Sequence, residues 1–275
     1  MKRYIGLVFI FLIVFVTACS KQTGHSGMNH NEQEMGHGDT VSKSGQSKTS
    51  AEWTINPEKA KANTDTRITI RIQDETGHPI NKFDINHEKQ MHLIIVNKKL
   101  SYFEHIHPEY KGNGIFEIST KFPSGGEYKL FADYVPSGSV ATTQSNWVSV
   151  EGNEALADSI KPDKDLMKTV GDKEVTLSYD HLMAGKDVNL NFHFVDTKSK
   201  QPITDLQPYL GAIGHVVIIS EDTNEYLHVH PINETDKGPE AKFMTSFPKS
   251  GVYKIWGQFK ENDKTFIVPF VVKVP

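Results

Sequence analysis

Six histidines recur in two sets at one fixed spacing, and imidazoles so spaced can ligate a transition metal. His92, His105 and His107 match His215, His228 and His230, each pair 123 positions apart. In His105-Ile106-His107-Pro108 and His228-Val229-His230-Pro231 the histidines stand at i and i+2. On a strand that places both on one face, about 6.6 Å apart. Two such imidazoles reach a single ion at bond lengths of ~2.0–2.1 Å. The third histidine comes thirteen residues earlier in both sets. A hairpin through residues 97–100 that pairs Val96 with Ser101 sets His92 opposite His105, and the same register sets His215 opposite His228. The expectation is three imidazoles on an exposed sheet face in each copy, an arrangement that a one-residue slip would dissolve. Leu93, Ile95 and Ile106, with Val216, Ile218, Leu227 and Val229, then face a core. Pro108 and Pro231 mark the strand ends just after each pair.

A second group of donors lies near the N-terminus: His25, Met28, His30, Met35 and His37. Imidazole and thioether suit copper without any thiolate, the thioether favouring Cu(I), and imidazole also suits zinc. Other histidines fit less well. His87-Glu88-Lys89-Gln90-Met91-His92 is one residue too long for H-E-x-x-H and is not in a helical stretch, so it is no zincin signature. His78, His181 and His193 have no counterpart in the other copy and read as surface or turn residues. Met91 beside His92 reads as core, since the other copy has Gly214 there.

Several chemistries are excluded. The single cysteine rules out an intramolecular disulfide, thiolate zinc clusters and iron–sulfur centres. With 30 Lys+Arg against 34 Asp+Glu and no basic stripe, nucleic acid is not the expected partner. There is no G-x-S-x-G elbow and no glycine-rich phosphate loop. Asp133 aligns with Gln258, which argues against a shared catalytic carboxylate. The chain is expected not to be an enzyme.

The elements that position the histidines follow from the rest of the pattern. Lys2 and Arg3 precede an apolar run over 4–16 that is too short to span a bilayer comfortably, which fits an export signal over 1–18. Val16-Thr17-Ala18-Cys19 resembles the lipobox of bacterial lipoproteins, and the resemblance implies lipidation at Cys19 and anchoring outside the cytoplasm. Residues 19–50 are poor in aliphatic side chains and read as a disordered tether. The remainder is a repeat: 51–150 and 172–275, with 151–171 as linker. TRITIRIQD from Thr66 matches DVNLNFHFVD from Asp187, and Phe122-Pro123 matches Phe247-Pro248. In the first copy strands are expected at 52–55, 66–74, 91–96, 102–107, 114–121, 127–134 and 140–150, short and alternating. The expected fold is all-β, two tandem immunoglobulin-like β-sandwich domains after the signal and tether.

MHLIIV, EHIHPE and FPSGGEYKLFAD, with GHVVIIS, LHVHP and FPKSGVYKIWGQF, resemble bacterial exported YtkA-like, immunoglobulin-like proteins with an H-x-H-P motif. The resemblance spans about three quarters of the chain and implies small β-sandwich modules associated with copper or heavy-metal handling. The expected function is therefore a membrane-anchored extracytoplasmic lipoprotein that captures or delivers a transition metal, copper first and zinc second. The alternative is a tandem immunoglobulin-like module that docks another envelope protein without metal.

Overall fold

The computed structural model describes residues 39–40 and 49–275; the expected signal, Cys19 and all five tether donors lie outside the described residues. The described chain is built from strands. A two-residue strand β1 (Asp39–Thr40) precedes the first repeat. The first repeat holds β2 (Thr49–Asn56), β3 (Ala60–Lys61), β4 (Asp65–Asp74), β5 (Phe83–Asp84), β6 (Met91–Asn97), β7 (Phe103–Ile106), β8 (Glu109–Gly112), β9 (Ile115–Lys121), β10 (Gly126–Pro136) and β11 (Thr142–Glu151). The second holds β12 (Met167–Val170), β13 (Lys173–Tyr179), β14 (Asp187–Asp196), β15 (Gly214–Ser220), β16 (Tyr226–Val229), β17 (Glu240–Ser246), β18 (Gly251–Glu261) and β19 (Lys264–Val274). Each expected strand of the first repeat is present, and the short β3, β5 and β8 are additional. Strand β12 falls inside the stretch expected to be linker.

Each repeat is a sandwich of two sheets. In the first, β3-β11-β10-β6-β7 (with β5 beside β10) packs on β2-β4-β9-β8. In the second, β1-β16-β15-β18-β19 packs on β12-β13-β14-β17. Strands β4 and β14 follow the expected alternation, sending Ile68, Ile70 and Ile72, or Val188, Leu190, Phe192 and Phe194, into their own cores. The predicted core faces also hold: Leu93 and Ile95 lie in the first core, and Val216, Ile218, Leu227 and Val229 in the second. Met91 is fully buried in the first core. At Gly214, its equivalent, a Cβ would stand 2.4 Å from the Phe259 ring, so an aromatic takes the space of the thioether.

Strands β6 and β15 depart from alternation. All of Met91 to Val96 and all of Gly214 to Ser220 are buried, on both faces. The side chains pointing away from each core meet one another. Ile94, Val96, Leu100 and Phe131 pack against Val217, Ile219, Tyr226 and Trp256 in a third apolar cluster, within one compact unit that includes both repeats. The contact is isologous in kind, with each patch meeting its own equivalent. Phe103 stacks on Trp256 and Phe131 on Tyr226, both with ring centroids 4.8 Å apart. Lys129 Nζ donates to the Thr223 carbonyl at 2.6 Å, and Lys254 Nζ to the Leu100 carbonyl at 2.8 Å. A pseudo-two-fold axis thus relates the repeats.

Candidate metal centre

The histidines sit at one end of this contact. The expectation of two exposed three-histidine faces is corrected: the faces oppose each other, and His92, His215 and His228 are 1%, 0% and 3% exposed. Ring centroids of His92 and His228 lie 5.2 Å apart, and those of His105 and His215 6.1 Å apart. The six imidazoles form one centre shared by both repeats, with His92, His215 and His228 buried and His105, His107 and His230 half-buried.

The hairpin register is also corrected. Val96 pairs with Phe103 and Ile94 with His105, two residues away from the expected pairing. The connection between the paired residues spans 97–102 rather than the expected 97–100, and Asn97 Oδ1 caps it by accepting the backbone N–H groups of Ser101 at 2.8 Å and Tyr102 at 3.0 Å. In the second repeat Val217 pairs with His228, the same register. A shift of two preserves the face, so the histidines still converge. His92 and His215 then stand level with His107 and His230, which lie just beyond the ends of β7 and β16.

Within the first trio His92 Nδ1 lies 2.9 Å from His105 Nε2, and His92 Nε2 faces the Asn86 carbonyl at 2.9 Å. Ligand atoms of His92, His105 and His107 all fall within 4.8 Å of one another. A tetrahedral ion with bonds of ~2.0–2.1 Å needs its nitrogens ~3.4 Å apart, so small side-chain movements close the set. In the second trio His215 Nδ1 lies 3.2 Å from His228 Nε2, and His215 Nε2 faces the Leu210 carbonyl at 3.4 Å. Six buried side-chain polar atoms among the described residues lack a partner, and two are the same atom of equivalent residues: Nε2 of His107 and Nε2 of His230.

Two residues that the sequence reading set aside belong here. Asp133 pairs across β10 with His92, and its Oδ2 lies 2.7 Å from His228 Nδ1 of the other repeat. Its equivalent Gln258 pairs with His215 and presents Nε2 to His105 Nδ1 at 2.9 Å. The mismatch in type hid a shared position: each repeat supplies one polar residue to the other's H-x-H. The signal available was an aspartate within the apolar run Leu130–Val135 of β10. His87 is the second, carried on a tight turn closed by Asn86 and Lys89, with its ring 4.5 Å from His215 and 4.1 Å from His230. By contrast His78 and His181 are exposed as expected, and His193 lies half-buried on β14.

Burial sets the electrostatics. It holds His105, His215 and His228 well below the usual imidazole range, with neighbouring imidazoles adding to the effect. His107 falls to about 3 and His230 to about 2 for the same reason. His87 and His92 are lowered by burial too, with partial compensation from carbonyl partners and Asp133. All seven rings are therefore neutral at pH 7, the form that ligates metal. Asp133 is pushed up to about 6 by burial, countered by His92 and His87.

Strand β1 brings the chain that follows the tether donors onto the edge of β16, with Asp39 opposite His228. Strand residues thus occur at 39–40 and again from Thr49, within the 19–50 stretch.

No curated protein matches this chain. Among solved structures the Escherichia coli adhesin FdeC is similar at 16% identity and a TM-score of 0.30, over 83% of this chain and 65% of that one. Invasin, a bacterial integrin-binding protein, is similar at 12% identity and 0.25, over 81% and 39%. A two-domain fibronectin type-III segment of chicken tenascin gives 11% and 0.23, over 81% and 98%. The chain spans less than two thirds of the first two. A family model described as a domain of unknown function (DUF8832) matches residues 46–152 and again 168–275, and the chain belongs to that family.

Proposed function

We propose that this protein binds a transition-metal ion, copper or zinc, in the buried imidazole centre between its repeats, and that it does so outside the cytoplasm while anchored through a lipid on Cys19. The anchor rests on the lipobox-like Val16-Thr17-Ala18-Cys19. The observation that carries the metal reading is the pair of partnerless Nε2 atoms on His107 and His230. Leaving such atoms buried and unpaired costs about 1–3 kcal/mol each. Equivalent residues of two repeats would not both retain that penalty for packing alone, and an ion among the rings removes it. A buried carboxylate beside neutral imidazoles points the same way, since among the described residues Asp133 has no Lys or Arg partner and a cation would compensate it. Imidazole alone suits copper and zinc alike, and a site built for holding or passing an ion needs no redox step.

The test is titration of the purified chain with Cu2+ and Zn2+, followed by metal analysis and a thermal melt. Retained metal with a raised melting temperature supports the reading, because a ligand that binds only the folded state must stabilise it. No retained metal and an unchanged melt reject it.

A second reading, docking of another envelope protein, is favoured by one feature. Ile85 and Val140 are 72% and 59% exposed at the end of the first repeat where β5 joins β10. It predicts partner binding that survives chelators and is lost when both are changed to Ser.

A further inference from the structure

The two halves of the centre are not equivalent. His87 and Glu88 occupy the turn closed by Asn86 and Lys89 with φ of 45° and 64°, and Leu210 and Gly211 occupy the matching turn with φ of 52° and 80°. Only the first repeat therefore sends a donor from this turn. Its conformation is uncommon for a residue with a side chain and is retained mostly where surroundings or function demand it. The His87 ring lies 4.1 Å from His230, 4.5 Å from His215 and 5.9 Å from His228, against 6.4 Å from His92. Although it belongs to the first repeat, His87 packs its ring against the trio of the second; side-chain rotation must bring these four donors together, since among the described residues only those of His92, His105 and His107 already lie within 4.8 Å of one another.

Proton positions separate the halves independently. An ionised Asp133 only accepts, so His228 donates its Nδ1–H and its Nε2 keeps a lone pair. His215 donates Nε2–H to the Leu210 carbonyl, which leaves a lone pair on Nδ1. The two lone pairs face each other across 3.2 Å with no proton between them. That is close to the ~3.4 Å between nitrogens that share a tetrahedral ion. In the other half Gln258 can donate to His105 Nδ1, so His105 Nε2–H can fill the 2.9 Å gap to His92. That half is satisfied by an ordinary hydrogen bond.

We infer that the first ion enters at His87, His215, His228 and His230, a four-imidazole site for a borderline divalent cation, with Asp133 as a positioning carboxylate for His228. His92, His105 and His107 form a weaker, three-coordinate second site. This rests on the metal-binding reading above. Four donors close a tetrahedral shell, whereas three leave a position open for exchange. A carboxylate on the far nitrogen of a ligating imidazole raises its basicity and fixes its tautomer. Because His87 comes from the other repeat, the ion also ties the repeats together.

The test uses the full chain in detergent, with His25, Met28, His30, Met35 and His37 changed to Ser so that only the centre reports. One equivalent of Cu2+ is followed by electron paramagnetic resonance and by competition titration. Wild type should give hyperfine structure from four nitrogens. His87→Leu, which copies the residue at position 210, should weaken the first equivalent at least tenfold and remove one nitrogen. His107→Ala should weaken that equivalent less than either His87 variant does, and His78→Ala, at an exposed histidine outside the centre, should leave it unchanged. His87→Asn, which tolerates the same backbone conformation, serves if the Leu variant melts lower without metal, and it should show the same weakening. Weakening by His107→Ala with none by either His87 variant overturns the inference and leaves metal binding intact. No retained ion in wild type overturns both.

Discussion

His228 Nδ1 lies 2.7 Å from Asp133 Oδ2, while the pseudo-two-fold equivalent contact joins His105 Nδ1 to the Gln258 carboxamide at 2.9 Å. The same geometry thus carries a charge on one side and none on the other. Asp133 lies 6% exposed in the contact between the repeats, where an isolated charge is expensive. An ion bound among the neighbouring imidazoles would offset that charge.

Asp133→Asn keeps the shape and an acceptor but removes the charge. Metal affinity should fall about 10–100-fold, the usual effect of losing a carboxylate behind a ligating histidine. The metal-free chain should melt at the same temperature or higher, because no buried charge remains to be desolvated. Competition titration and paired melts read both. Unchanged affinity would remove Asp133 from the account.

Acid should destabilise the metal-free chain. The seven clustered imidazoles have folded-state pKa values below their ordinary 6.5. Below about pH 6.5 the unfolded chain therefore binds more protons than the folded one, and stability falls as pH falls. Each imidazole that titrates only on unfolding adds about 1.4 kcal/mol per pH unit to the slope. Asp133, raised to about 6, acts in the opposite sense between its folded and ordinary values, as one group against seven. Urea midpoints at pH 7.5, 6.0 and 5.0 should fall in that order. A flat series would mean that the rings are not buried.

The contact between repeats should dominate the energetics of the centre. Trp256 is 3% exposed and stacks on Phe103 at an interplanar angle of 19°. Trp256→Ala should cost about 3–5 kcal/mol and abolish metal retention, because the two halves no longer hold their opposition. Denaturant unfolding and metal analysis of the variant check this. A loss under about 1 kcal/mol with metal retained would show that each repeat holds its ion alone.

Much of the architecture was legible because β4 and β14 alternate strictly and the repeat offset aligns each histidine with its partner. The convergence of each trio on one face was legible too, since that depends only on the parity of the register. The register itself was not, because it is set by a side chain, Asn97, capping the loop. The larger omission was the opposition of the two faces. MHLIIV and GHVVIIS are apolar at consecutive positions, the pattern of strands covered on both sides; reading only alternate residues as core left Ile94, Val96, Val217 and Ile219 without a role. His87 is one residue too far from His92 for H-E-x-x-H, and its nearest ring contacts are to His215 and His230 of the other repeat, which no local pattern encodes.

The most direct test of the central claim compares wild type with His107→Ala/His230→Ala, both in the chain whose tether donors are changed to Ser. Zn2+ at about 100 times its dissociation constant should stabilise wild type by about 2.7 kcal/mol, a melting rise of about 5–10 °C for a chain of this size. The double variant should show a much smaller rise and retain less metal after desalting. Equal stabilisation and equal metal content in the two proteins would contradict an imidazole centre between the repeats.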